Sequence, residues 1–313
     1  MMIEKVEITH PDKMIFSGAQ ISKSEVAEYY SRIANFILPW VNERPVTLKC
    51  YPNGINKEGF FIKHAPDYFS DSIHRVSIPL KKTDAHIEMI RIDKAEDLVY
   101  LVEQNTIELH IPLAKITDVK KPDQIVLDLD PSDDDFEKVR HVALLLKEIL
   151  DLLQLPAFIK TTGSRGVHIH IPIKPYYSFL EIKAITKQIA ERLHQQSTDT
   201  TTLEQRKNKR GNKVFIDYLR NDYGMTAVAP YSLRALENAP IATPIDWSEL
   251  QDNALGPRSY HLKNIFRRLA QKQDPWANFV QSSVAIQCRD IGSLRDPLIY
   301  AIRLSEKINI WLI

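Results

Sequence analysis

The sequence predicts an α+β fold, and three features carry that prediction. From residue 121 onward, strand and helix periodicities follow the order strand, helix, strand, strand, helix, strand, the pattern of a sheet with its helices on one face. The residues before it mix an amphipathic helical stretch with short β-rich runs. The 313 residues are too many for one small core and fit one large domain or two closely packed ones.

The elements follow in chain order. Ser22-Lys23-Ser24-Glu25 is a capping-box pattern, and Val26, Tyr29, Tyr30, Ile33, Phe36 and Ile37 then recur at helical spacing. One helix is expected, with Pro39 ending it or lying in its last turn. Tyr51-Pro52-Asn53-Gly54 reads as a turn. Short apolar runs between Arg75 and Pro112 alternate with charged stretches, and a short helix is expected over Asp97 to Gln104. Lys120-Lys121-Pro122-Asp123 links to a second unit, which opens with the strand Val126 to Pro131. Ser132 or Asp133 is expected to cap the next helix, where Phe136, Val139, Ala143, Leu146 and Leu150 recur at helical spacing. There follow a strand near Ala157 to Thr161, a turn at Gly163 to Gly166, a strand Val167 to Ile171 and an amphipathic helix from about Ser178 to His194. A basic loop leads to a strand Lys213 to Tyr218, and a further strand covers Thr226 to Ala229.

Composition narrows the functional classes. Lys and Arg total 41 against 40 Asp and Glu, so any polyanion must be met by local patches and not by a global field. Cys50 and Cys288 are the only cysteines, too few for a disulfide scaffold and without zinc-ligand spacing; a reducing cytoplasm is expected. No apolar run reaches the length of a membrane span, and the charged N-terminus lacks a secretory h-region.

The chemistry concentrates in four pieces. In Val126-Leu-Asp128-Leu-Asp130-Pro, strand alternation points both aspartates the same way. Two such carboxylates repel unless a cation joins them, and a hard divalent ion is the natural partner; the plainer reading is a wet strand end. Lys160-Thr-Thr-Gly163-Ser164-Arg165-Gly166-Val-His168 brings backbone amides and Ser, Arg and His donors to one turn, which suits phosphate oxygens; alone it would read as a polar hairpin. Asp217 is a lone acid in the apolar strand Val214-Phe-Ile-Asp-Tyr218, costly unless paired or liganded. Beside Asp128 and Asp130 it would complete an oxygen-only site for two ions, a clamp for phosphoryl transfer. Arg220 and Arg234 supply forks that suit phosphate, although either alone reads as a surface ion pair.

Together, LDLDP, KTTGSRGVHIHIPI and VFIDYLRN with APYSLRA resemble the three motifs of archaeo-eukaryotic primase-polymerases, most closely the ligase D-type polymerase domain of prokaryotic non-homologous end joining. ITHPDKMIF, YPNG with Gly59-Phe60-Phe61, and LKNIFRRLAQKQDPWANF extend the likeness over roughly residues 4 to 279. The resemblance implies a primase-polymerase fold, an RRM-like catalytic sheet packed against an N-terminal α/β module. The expected division is one domain over 1–282, with an N-terminal module (1–120), a catalytic core (121–250) and a helical extension (251–282). A tail over 283–313 has no assigned role; its Leu298, Ile302 and Leu304 suggest a packed helix.

By resemblance, Asp128, Asp130 and Asp217 hold two Mn²⁺ or Mg²⁺ ions and form the catalytic set. His168 contacts the triphosphate of the incoming nucleotide, with Ser164, Arg165, Arg220, Arg234 and, more weakly, Lys49 around it. Lys13 and Lys23 bind the 5′-phosphate of a downstream strand. Phe60 and Phe61 stack on template bases, the alternative being core aromatics. Arg210, in the basic run Arg206 to Lys213, helps align broken ends, the alternative being a solvated hairpin tip. The implied activity is extension of a primer 3′-hydroxyl at breaks and gaps with NTPs, preferred, or dNTPs. DNA with 5′-phosphorylated ends, Ku and a DNA ligase are the implied partners. The rival readings are a dedicated primase and a non-catalytic end-bridging module. A zinc hydrolase built on His168 and His170 lacks further ligands at suitable spacing.

Overall fold

The structure, a computed structural model, describes residues 1–286, so the tail helix expected near Leu298 to Leu304 lies outside the described residues. Two hairpins, β1 (Met2–Ile3) with β2 (Val6–Glu7) and β3 (Met14–Phe16) with β4 (Ile21–Ser22), lead into α1 (Lys23–Arg32) and α2 (Ala34–Val41). Then come β5 (Thr47–Cys50), β6 (Phe60–Ile62), the hairpin β7 (Arg75–Pro79) and β8 (His86–Ile90), α3 (Ala95–Glu103) and β9 (Thr106–Pro112). The second half runs β10 (Gln124–Pro131), α4 (Phe136–Leu152), β11 (Phe158–Thr161), β12 (Val167–Pro172), α5 (Phe179–Gln196), β13 (Thr201–Thr202), β14 (Val214–Asp217) and β15 (Thr226–Val228). It closes with β16 (Pro244–Ile245), α6 (Trp247–Leu250) and α7 (Ile265–Gln271). No helix among the described residues is long and apolar enough to cross a membrane.

Two sheets carry the architecture. The second-half sheet has the order β13-β14-β10-β12-β11-β16, antiparallel except for the β13–β14 pair. On one face Ile125, Leu127 and Leu129 of β10 join Val139, Leu146 and Leu150 of α4 and Ile182, Ile189 and Leu193 of α5 in one buried core. Both long helices therefore cover that face, as the strand and helix order predicts. The opposite face carries Asp128 and Asp130. The other main sheet, β15-β9-β5-β6, rests on α1, α2 and α3 around a second core that includes Tyr29, Tyr30, Trp40 and Trp276.

Local chemistry explains most boundaries. The Ser22/Glu25 capping box is present, as is a second at Ser178/Glu181 before α5. The expected single helix after Ser22 is instead two, divided at Ile33, with Pro39 inside α2. The division lets each piece bury its own stripe: Val26, Tyr29 and Tyr30 on α1, and Ile37, Trp40 and Val41 on α2. The cap of α4 is Asp135, not Ser132 or Asp133. Those two are engaged elsewhere: Ser132 Oγ donates to the Lys213 carbonyl (2.6 Å), and Asp133 accepts from Lys138 Nζ (2.6 Å). The strand at Thr226, expected within the second unit, pairs with β9, so the chain returns to the first sheet after β14.

Glu108 of β9 ties that returning chain down. It is buried, yet it accepts from Arg234 Nε (3.2 Å), the Ala235 amide (3.0 Å) and His110 Nε2 (2.9 Å). Burial opposes its charge, but the His110 hydrogen bond and the Arg234 charge prevail and its pKa falls to about 2. A depressed carboxyl contributes stability that is complete above its ordinary titration range and is lost as pH falls through the folded value. The shift corresponds to on the order of 3 kcal/mol. Glu108→Gln should therefore lower the melting temperature at neutral pH and flatten its decline between about pH 5 and 2. Thermal unfolding across that range checks this; a Gln variant with the parent's acid profile would contradict it.

Candidate active site

The strand register builds the site. Lys160 of β11 stands opposite His168 of β12, His168 opposite Asp128 of β10, and Asp128 opposite Asp217 of β14. These four side chains thus form one row across the sheet, on the face away from α4 and α5. Asp130 lies two residues beyond Asp128 on the same face. The other sheet supplies a second row, in which Phe61 of β6 faces Lys49 of β5 and Lys49 faces Glu108 of β9. A cleft of about 150 Å³ is lined from the six-stranded sheet by Asp128, Asp130 and His168 and from the four-stranded sheet by His110 and Val228. Ser164, Arg165, Arg220 and Arg234 complete its walls.

The turn between β11 and β12 is held by Thr162. Its Oγ1 donates to the Gly166 carbonyl (3.0 Å) and accepts from the Ser164 amide (3.2 Å). Gly166 is needed because a Cβ there would stand 1.9 Å from the Leu129 carbonyl of β10. That close approach delivers Arg165 to Asp130, where Nη2 reaches both carboxylate oxygens (3.1 and 3.0 Å). Gly163 takes a φ of +64°, the left-handed region. After β14, the Asn221 side chain grips the amide (2.9 Å) and carbonyl (2.6 Å) of Val126, fixing the turn that carries Arg220.

Every carboxylate of the cleft has a guanidinium. Arg220 Nε lies 2.6 Å from Asp128 and 3.5 Å from Asp217. Arg210 Nη1 approaches Asp130 at 3.7 Å. Arg234 joins Glu108 and also donates to the Thr162 carbonyl (2.7 Å), so it bridges the two sheets. Burial opposes the charge on Asp128, but the His168 ring and Arg220 overcome it and hold its carboxyl well below the usual range. Asp130 and Asp217 are pushed upward, by burial first and then by the Asp128 charge. His168 is lowered to about 4 by burial and by Lys160, so its ring is neutral at neutral pH.

The three aspartates offer an oxygen-only donor set suited to hard cations. Burial and then the Asp128 charge raise Asp130 and Asp217, and a cation beside them would offset both. No three His, Cys, Asp or Glu side chains among the described residues already converge as a metal cage. Asp130 is turned to Arg165 and Arg210, and the Arg220 guanidinium lies between Asp128 and Asp217.

The structure thus brings Asp128, Asp130, Asp217, Ser164, Arg165, His168, Arg220 and Arg234 together. Lys49 stands at the edge, 3.8 Å from Glu108 and over the Tyr51 and Phe61 rings. Phe60 and Phe61 are 50% and 56% exposed, so the core-aromatic alternative is overturned for both. Arg210 is not on a solvated tip. It is buried, donating to the Glu204 (2.9 Å) and Gln205 (2.7 Å) carbonyls, and lies over the Phe215 ring. Lys13 and Lys23 form a separate cluster, joined by the Lys23 amide donating to the Lys13 carbonyl (2.8 Å). Lys13 Nζ donates to the Pro52 carbonyl and to the side-chain Oδ1 of Asn105, whereas buried Lys23 pairs with Glu103 (2.7 Å). Sequence reasoning overlooked Glu108, His110 and Lys160. The first two repeat the i, i+2 polar pattern of Asp128 and Asp130, a signal that was available. Nothing in the sequence marks Lys160 as buried.

Comparison with known proteins identifies the family and the fold. The family model of the LigD primase-polymerase domain matches residues 22–276. The multifunctional non-homologous end joining protein LigD of Pseudomonas aeruginosa is 34% identical over 277 residues, 88% of this chain and 33% of that protein. The LigD of Mycolicibacterium smegmatis is 29% identical over 94% of this chain and 38% of its own length. The chain therefore spans well under half the length of these curated relatives. A solved polymerase domain of Mycobacterium tuberculosis Ligase D, in complex with DNA, superposes with a TM-score of 0.82 at 26% identity, covering 90% of this chain and 100% of that one. The chain belongs to the LigD primase-polymerase domain family, nucleotidyltransferases with an α+β primase-polymerase fold.

Proposed function

We propose that the protein extends a primer 3′-hydroxyl at DNA breaks and gaps, in non-homologous end joining, preferring NTPs to dNTPs. One observation carries the reading: three carboxylates share one sheet face, and two of them, Asp128 and Asp130, open into a cleft walled by arginines. The relatives' names, and the DNA bound to the mycobacterial domain, support the pathway and the polymer. Ku and a DNA ligase are the partners that this reading implies.

Asp128, Asp130 and Asp217 would hold two Mn²⁺ or Mg²⁺ ions. Bound there, the ions supply Lewis-acid activation of the attacking hydroxyl and charge neutralisation at the departing pyrophosphate. Arg165 and Arg220, paired with carboxylates in the structure, turn to phosphate oxygens once those carboxylates take up cations. Arg234 stays anchored on Glu108 and presents its fork from the opposite wall. Ser164 and His168 donate to the triphosphate. Phe60 and Phe61, on an edge strand, offer exposed rings to template bases. Lys13 and Lys23 meet a downstream 5′-phosphate, and Arg210 steadies the end near Asp130.

The decisive assay is extension of a gapped duplex bearing a 5′-phosphate, comparing NTP with dNTP and Mn²⁺ with Mg²⁺. Extension should require a divalent ion, cease on chelation and be faster with NTPs; equal rates would remove the sugar preference. Asp128→Ala with Asp130→Ala should cut extension at least about 10³-fold while DNA affinity persists. Normal extension by that double variant would refute the site. Lys13→Ala should weaken binding to 5′-phosphorylated gaps roughly tenfold and leave unphosphorylated gaps unchanged; an equal effect on both would contradict the 5′-phosphate role.

A further inference from the structure

Three buried polar atoms lie together behind the cleft and lack hydrogen-bond partners: Lys160 Nζ, His168 Nδ1 and His170 Nε2. Lys160 is 0% exposed and does not line the cleft. An amine buried without a partner costs several kcal/mol in order-of-magnitude terms, so its position needs a reason. The register supplies the neighbours. Lys160 stands directly opposite His168, with His170 diagonal to it beside Phe158. Side chains in such positions are about 5 to 8 Å apart at Cβ, within reach of a long side chain.

Donor accounting then constrains the rings. His170 Nδ1 faces Gln124 Oε1 at 2.8 Å, so Nδ1 carries the proton and Nε2 is a bare acceptor. The Lys160 amine always has N–H groups to give. Its second available acceptor on this face is His168 Nδ1. If that nitrogen accepts, the His168 proton resides on Nε2, the nitrogen that points towards Asp128 (3.5 Å) and the cleft.

We propose that Lys160 is a positioning residue that donates to Nδ1 of His168 through one bridging water, and so keeps an Nε2–H donor aimed into the cleft. The inference rests on the triphosphate reading only for its consequence: the donor would meet a phosphate oxygen. Without Lys160 only the Asp128 carboxylate, 3.5 Å from Nε2, holds that tautomer, and the share of rings with the proton on Nδ1, which present a lone pair to an anion, rises. The same change removes a buried amine and so should not cost stability, since apolar replacements of buried charges are often neutral or stabilising.

The test uses the full chain with nitrogen-15-labelled histidine. The wild type should show His168 as the Nε2–H tautomer. Lys160→Met, close in size and without donors, should shift His168 towards Nδ1–H and weaken Mg·ATP binding by calorimetry roughly tenfold, with the larger change in KM than in kcat. Its melting temperature should be equal to or above that of the wild type. An Nδ1–H tautomer in the wild type overturns the proposal whether or not the variant folds. So does a folded Met variant with unchanged tautomer and unchanged ATP affinity. If the wild type binds no Mg·ATP, the triphosphate reading fails, and the tautomer alone decides the role of Lys160.

Discussion

Like charges crowded on one sheet face are the constraint around which the rest is arranged. Asp128 and Asp217 are direct cross-strand partners and Asp130 is the next outward-facing position, so one buried and two partly buried carboxylates occupy adjacent sites on one face. Carboxylates in that arrangement do not all ionise without cations close by. Arg220, Arg165 and Arg210 meet that requirement, and each is delivered by a turn that is itself pinned. Asn221 fixes the Arg220 turn on β10, the close approach at Gly166 fixes the Arg165 turn, and carbonyls of Glu204 and Gln205 hold Arg210. The irregular segments between strands are therefore as necessary to the site as the strands.

The two sheets divide the work. The catalytic-side sheet packs its apolar face under α4 and α5 and frees the other for charge. The first sheet contributes Glu108, which orients Arg234 without facing a carboxylate of the first row. The return of the chain as β15 onto β9 locks the sheets together, and Arg220 Nη1 donating to the Thr226 carbonyl (3.4 Å) ties the charged row to that seam. A nucleotide held between the rows would be positioned from both walls, which suits a reaction whose demand on the protein is orientation and charge neutralisation.

Much of this was legible in the sequence. Alternation within LDLDP put Asp128 and Asp130 on one face, and the capping box at Ser22 and the apolar periodicity after Ser178 marked where helices begin. Tertiary facts were not legible. Asp135 caps α4 because Ser132 and Asp133 are drawn to Lys213 and Lys138, residues brought near by the fold or the helix itself. The membership of β15 in the first sheet depends on a partner more than a hundred residues away in sequence, beyond the reach of local pattern. Arg210 sits in the densest basic run of the chain, where composition favours a solvated loop, yet Asp130 and the Phe215 ring draw it inward. Lys160 is the clearest case: a lysine at a strand position reads as exposed, and only the register reveals what covers it.

In the proposed reaction the three aspartates would exchange guanidinium groups for divalent ions when nucleotide binds. The most direct measurement is a crystal structure with Mn²⁺ and a non-hydrolysable nucleoside triphosphate, using anomalous scattering to locate the metal. Two Mn²⁺ peaks ligated by Asp128, Asp130 and Asp217 are expected, with Arg165 and Arg220 moved onto phosphate oxygens. A triphosphate bound without manganese at these carboxylates, with Arg220 still on Asp128, would contradict it.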